Sequence, residues 1–148
     1  MTVLEFLSGL LTPAIAVVMT YIAIQQYRTR QSRLRLDLFD RRYAIYQGVK
    51  EFIRHAVSAG DVQNQAIADL NESTHDAFFL FDESVDEYVD ELRQKGARLH
   101  YLQRRLGDGT LPIGEERSAF AQEDADIMTW FGFQLGESKK VFKKFLRV

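Results

Sequence analysis

From Phe6 to Gln26 the chain reads FLSGLLTPAIAVVMTYIAIQQ, 21 residues without a charge. No other stretch restricts the fold so strongly. At about 1.5 Å per residue, a helix of that length measures roughly 31 Å, close to the hydrocarbon thickness of a bilayer. Tyr21 and Tyr27 would then sit near one interface, where tyrosine is favoured. Pro13 lies in the first turns and weakens or kinks the helix there. Two rival readings are weaker. A cleaved leader would use Ala14-Ile15-Ala16, but no base precedes the run, which also continues past Ala16 to Ile24. A helix buried in a soluble core would need enclosure on every side, which a chain of 148 residues supplies poorly.

The residues that follow orient the run. Arg28, Arg30, Arg33 and Arg35 come before the first acid, Asp37, whereas no base precedes Phe6. Positive residues flanking a span stay in the cytoplasm. The expectation is therefore a transmembrane anchor over residues 1–27, with its N-terminus outside and residues 28–148 in the cytoplasm. On the run itself, Gly9, Thr12, Ala16, Thr20 and Ala23 share one helical face. Small residues so placed let two spans approach closely, and they are the expected packing face of a homo-oligomer.

Charge then excludes some function classes. The net charge is −2, which argues against nucleic acid as a partner. That balance hides blocks: ten acids and no base between Asp61 and Glu91, then five bases and no acid between Arg93 and Arg105. Five further bases, Lys139, Lys140, Lys143, Lys144 and Arg147, crowd the final segment. There is no cysteine, so disulfides and thiolate metal sites are excluded.

Residues 28–148 read as an all-α antiparallel bundle of three or four helices. The first helix continues from the anchor to about Ser58 and presents Leu38, Ile45, Val49, Phe52 and Ala56, widened by Phe39, Tyr46 and Ile53. Gly60-Asp61 should end it and cap the next. A second carries Ile67, Leu70, Thr74, Ala77, Phe78 and Phe81. Asp82 is expected to cap a third, whose early acids suit its positive end. Whether that joint is a turn or only a kink is open at this stage. The third buries Val85, Tyr88, Val89, Leu92, Leu99, Leu102 and Leu106. After the loop GDGTLPIG, a last helix from about Glu115 to Leu146 buries Phe120, Ile127, Phe131, Leu135, Phe142 and Phe145. Trp130, Phe131 and Phe133 are expected in its core. Gly132 and Gly136 each cost about 1 kcal/mol relative to Ala inside a helix; close approach of a neighbouring helix is the expected reason for them.

Catalytic and metal chemistry find little footing. Glu72-x-x-His75 matches half of a carboxylate di-iron motif, but His55 and His100 lack a Glu three residues before them, so no second copy exists. The acids from Asp82 to Glu91 lack the glycine and alternation of a calcium loop. No phosphate loop, nucleophile elbow or dinucleotide fingerprint is present. The expectation is no enzyme, no cofactor, no metal and no small-molecule substrate.

The stretches RLRLDLFDRRYAIY and FFLFDESVDEYVDEL, together with the region from Trp130 to FKKFLRV, resemble a family of small, functionally uncharacterised bacterial proteins with an N-terminal membrane helix. That resemblance implies a bacterial inner-membrane location and carries no site residue across. The function expected is a single-span helical interaction or scaffold protein with a protein partner of unknown identity; the alternative is an oligomeric pore or membrane-disrupting effector. Membrane lipid is an expected partner of the C-terminal segment as well. There Phe142 and Phe145 would enter the headgroup boundary while Lys139, Lys140, Lys143, Lys144 and Arg147 meet anionic lipid.

Overall fold

The computed structural model describes residues 3–109 and 112–147, with side chains at Pro13 and from Ile15 onward within those ranges. These residues form only helices: α1 (Val3–Ala59), α2 (Asn64–Ser73), α3 (Ala77–Leu80), α4 (Glu83–Gly107) and α5 (Glu115–Phe142). The chain divides into two compact units, Met1–Leu38 and Phe39–Val148. The division falls after Leu38, not after Tyr27.

The first unit is the N-terminal part of α1, and Pro13 lies inside the helix. Several of its described polar side chains bond within the helix. Thr20 Oγ1 donates to the Ala16 carbonyl at 2.8 Å, and Gln25 Nε2 donates to the Tyr21 hydroxyl at 3.1 Å. Among the described residues no helix is long and apolar enough to cross a membrane. The side chains of residues 6–12 and Ala14, the first part of the uncharged run, lie outside the described set. The helical bundle is therefore observed, whereas the transmembrane anchor expected over residues 1–27 has no support from the described residues. Leu38, expected on the core stripe, is 37% exposed and belongs to this first unit.

The second unit is a bundle whose register can be followed from its cross-links. Between α4 and α5, Lys144 meets Asp82, the Tyr88 hydroxyl donates to the Gln134 carbonyl, Arg98 meets Glu123, and Arg117 donates to the Leu106 carbonyl. Rising numbers on one helix meet falling numbers on the other, so the pair is antiparallel. The aromatic pairs Tyr46–Phe142 and Phe52–Phe131 order α1 and α5 the same way. His100 and Arg93 reach Val62 and Asn71 respectively, which sets α2 antiparallel to α4. The long members are the second half of α1, α4 and α5; the fourth is broken into α2 and α3.

Local chemistry explains the breaks. Gly60 ends α1 in the left-handed region at φ 64°, with its N–H on the Ala56 carbonyl, a conformation glycine adopts without a Cβ penalty. The residue that caps α2 is Gln63 rather than the expected Asp61. The Leu70 carbonyl accepts from Thr74 N, Thr74 Oγ1 and Ser73 Oγ. Side chains that bond back in this way compete with helix continuation, and the chain turns before Ala77. The joint at Asp82 is a turn: Phe81 is extended and the Asp82 side chain caps α4 by accepting from Ser84 N.

The core contains Ile45, Tyr46, Val49, Phe52, Ile53 and Ala56 from α1, with Val85, Tyr88, Val89, Leu92, Leu99 and Leu102 from α4. Val62, Leu70, Ala77, Ile127, Phe131 and Phe142 complete it. Two expectations fail here. Phe78, at 71%, and Phe133, at 69%, are exposed, because Phe78 follows the break at Thr74 and Phe133 lies two residues from the buried Phe131, on the opposite side of α5. The glycines also change roles. A Cβ on Gly132 or Gly136 would meet nothing within 4 Å, whereas one on Gly96 would lie 2.7 Å from the Phe52 ring tip and one on Gly48 2.3 Å from Ser73 Oγ.

Candidate interaction surface

The end of the second unit where the chain enters it gathers Phe39–Tyr46, the α3–α4 turn and the C-terminal segment. Its organising residue is Arg42. The guanidinium donates from Nε to the Leu80 carbonyl at 3.0 Å and from Nη1 to the Phe145 carbonyl at 3.5 Å. It also faces the Phe81 and Phe145 rings at 6.0 and 5.7 Å from their centroids. One delocalised cation thus supplies a donor to the last residue of α3, holds the segment after α5, and sits on two aromatic faces.

Beneath Arg42 lies an aromatic cluster. Phe81 meets Phe142 and Phe145 edge-on at 5.2 and 5.1 Å, and Phe142 meets Tyr46 at 5.4 Å. Phe142 is completely buried. That corrects its assignment as a lipid contact: the α5 stripe delivers its ring into the core, and Phe145 is half-buried over Phe81. The helix ends at Phe142 instead of Leu146, and residues 143–145 form a turn.

The bases of this segment stay exposed. Lys144 Nζ donates to Asp82 Oδ2 at 2.5 Å and to Ser84 Oγ at 3.2 Å. Its ammonium, with the Ser84 hydroxyl, holds the Asp82 carboxyl below the usual carboxylate range. Lys140 pairs with Glu137 at 2.6 Å. Lys139, Lys143 and Arg147 have no ion pair among the described residues. Ser84, Lys140, Val141, Lys143, Lys144 and Arg147 line an open groove. A few residues before Asp82, Phe78 and Phe79 stand 71% and 80% exposed, their rings edge-to-face at 5.5 Å.

The opposite end is a structural clasp. His100 Nδ1 lies 2.8 Å from the Val62 carbonyl and Gln103 Nε2 donates to the Gly60 carbonyl at 2.7 Å, which fastens the α1–α2 loop to α4. Arg98 grips Glu123 with two donors at 2.7 Å and holds that carboxyl below its usual range. Burial pushes the Tyr88 hydroxyl above its ordinary range. Glu72 and His75 are exposed, and no group of three His, Asp or Glu able to hold a metal exists among the described residues.

The other residues singled out from sequence lie in the first unit. Arg28, Arg30, Arg33 and Arg35 are exposed, as are Ala16, Thr20 and Ala23, whereas the side chains of Gly9 and Thr12 lie outside the described residues. Arg42 was missed by sequence reasoning, yet a signal existed: it occupies the stripe position between Leu38 and Ile45, where an apolar residue is expected. Substituting it tests its role. Arg42→Met keeps the apolar stem and removes both carbonyl contacts, and it should cost about 1–3 kcal/mol of stability. Thermal melts should show the loss, and hydrogen exchange should locate it in α3 and residues 142–147.

No protein-family model, curated protein or solved structure matches the chain.

Proposed function

We propose that the chain is a membrane-anchored helical interaction protein of the bacterial inner membrane, which acts through contact with a protein partner instead of through catalysis. Its uncharged N-terminal run enters the bilayer, the arginines at 28, 30, 33 and 35 keep the following segment in the cytoplasm, and residues 39–148 present the bundle there. One observation carries the reading. Ile15, Val17, Val18, Met19, Tyr21, Ile22 and Ile24 are all between 42% and 70% exposed. An apolar surface of that extent, uncovered by its own chain, marks a site that something else covers. The internal bonds of Thr20 and Gln25 suit a medium without water. Copies then associate through the face of Ala16, Thr20 and Ala23, where small side chains allow close approach.

Membranes expressing the full chain test this. The protein should resist alkaline carbonate, and a C-terminal phosphatase fusion should be inactive. An amine crosslinker should give a dimer band that Ala16→Leu with Thr20→Leu abolishes. Release by carbonate would overturn the anchor, and an unchanged band would remove this face.

A further inference from the structure

The geometry points to a second membrane contact, made by the bundle itself: Phe78 and Phe79 insert into the headgroup boundary of an anionic leaflet while the adjoining basic groove binds lipid phosphates. The inference concerns residues 39–148 and stands apart from the anchor.

Three observations carry it. First, two adjacent phenylalanines protrude from α3, a helix of only four residues, and pack mainly on each other. A protein partner would need a matching pocket for each ring, whereas fluid acyl chains accommodate any protruding aromatic. Second, the pair is tied to the bases. Arg42 holds Leu80, the residue after Phe79, to Phe145, and three residues beyond Phe79 the Asp82 carboxylate holds Lys144. Third, Lys139, Lys143 and Arg147 remain without an ion pair among the described residues, so their charge is available to phosphate. Glu83, Asp86 and Glu87 follow on α4, so attraction comes from the groove instead of the net charge of this end. With Phe142 buried, the most exposed aromatics among the described residues are the α3 pair, which sequence periodicity had placed partly in the core.

The probe is a tryptophan at the tip. Trp130 is the only native tryptophan, so the full chain with Trp130→Phe and Phe79→Trp reports from one position. It is reconstituted into vesicles of brominated lipid, either anionic or neutral. The expected result is blue-shifted emission, strongly quenched in anionic vesicles and weakly in neutral ones. Lys139→Gln, Lys143→Gln and Arg147→Gln together should cut the quenching at least about twofold, as should high salt. Phe78→Trp should repeat the result, with helicity unchanged by circular dichroism in each variant. Water-like emission without quenching would overturn the inference. So would equal quenching in both lipids, and so would a blue shift without bromine quenching, which would mean that protein covers the pair. Alkaline extraction of the same vesicles separates the two readings. A chain that resists extraction with an unquenched probe keeps the anchor and loses this contact; one that is extracted but was quenched does the reverse.

Discussion

Ile45→Asp should unfold residues 39–148. Ile45 is buried on the α1 stripe that faces α4 and α5, in a core that also holds Val49 and Phe52. The substitution removes an apolar side chain, which alone costs roughly 2–5 kcal/mol when truncated. It also places a carboxylate in the buried core, which adds several kcal/mol or forces the group to stay protonated. A domain of this size is stable by only about 5–15 kcal/mol, so little or nothing remains. Circular dichroism of the full chain in mild detergent should show loss of the cooperative melt, and protease should cleave α4 and α5 rapidly. Ala44→Asp is the control. Ala44 is exposed, and the change should cost under about 1 kcal/mol, mainly in helix propensity. An unaltered melt for Ile45→Asp would place that residue in water.

Gly96→Leu is the second large effect. The Phe52 ring tip would lie 2.7 Å from the new Cβ, and the Val62 side chain 3.6 Å from it. Phe52 is itself locked edge-on against Phe131 at 5.9 Å, so the ring has little room to retreat. Overpacking of this kind costs about 1–3 kcal/mol and sometimes more, and a leucine adds further atoms beyond Cβ. The gain of about 1 kcal/mol in helix propensity is outweighed. Gly132→Ala and Gly136→Ala have no neighbour within 4 Å and should each stabilise by up to about 1 kcal/mol. Chemical denaturation of the three variants should therefore give opposite signs: midpoint down for Gly96→Leu, up for the other two. A stabilised Gly96→Leu variant would mean that α1 and α4 are not in contact at this point.

Which glycine is a contact glycine was not legible from sequence. All four lie within helical patterns, and periodicity reports only the face a residue occupies, not the distance of the next helix from it. The stripes on α4 and on α1 from Ile45 onward were legible, because burial repeats every three or four residues whatever the helix packs against. The capping at Asp82 was legible for a local reason, since a short acidic side chain can satisfy the first free N–H groups of a helix, whereas the choice between a turn and a kink there was not. The break at Thr74 was not. Threonine makes the same bond to the carbonyl four residues back at Thr20 and Thr129 without ending the helix, so the residue alone does not announce the break.

The basic segment at the C-terminus shows the same division at the candidate surface. That its lysines are exposed follows from their charge. That Phe142 turns inward and Phe78 and Phe79 outward depends on how α5 crosses α1 and on where the fourth member breaks. By itself the sequence determined an all-helical chain, the capping at Asp82, the close of α1 at Gly60 and most of the α4 face, since each is set by interactions within a few residues. Only the tertiary structure decided the antiparallel register, the roles of Gly48 and Gly96, the seat of Arg42 and the exposed aromatic pair. Those depend on distances between segments far apart in the chain, and a one-dimensional pattern of polarity does not contain them.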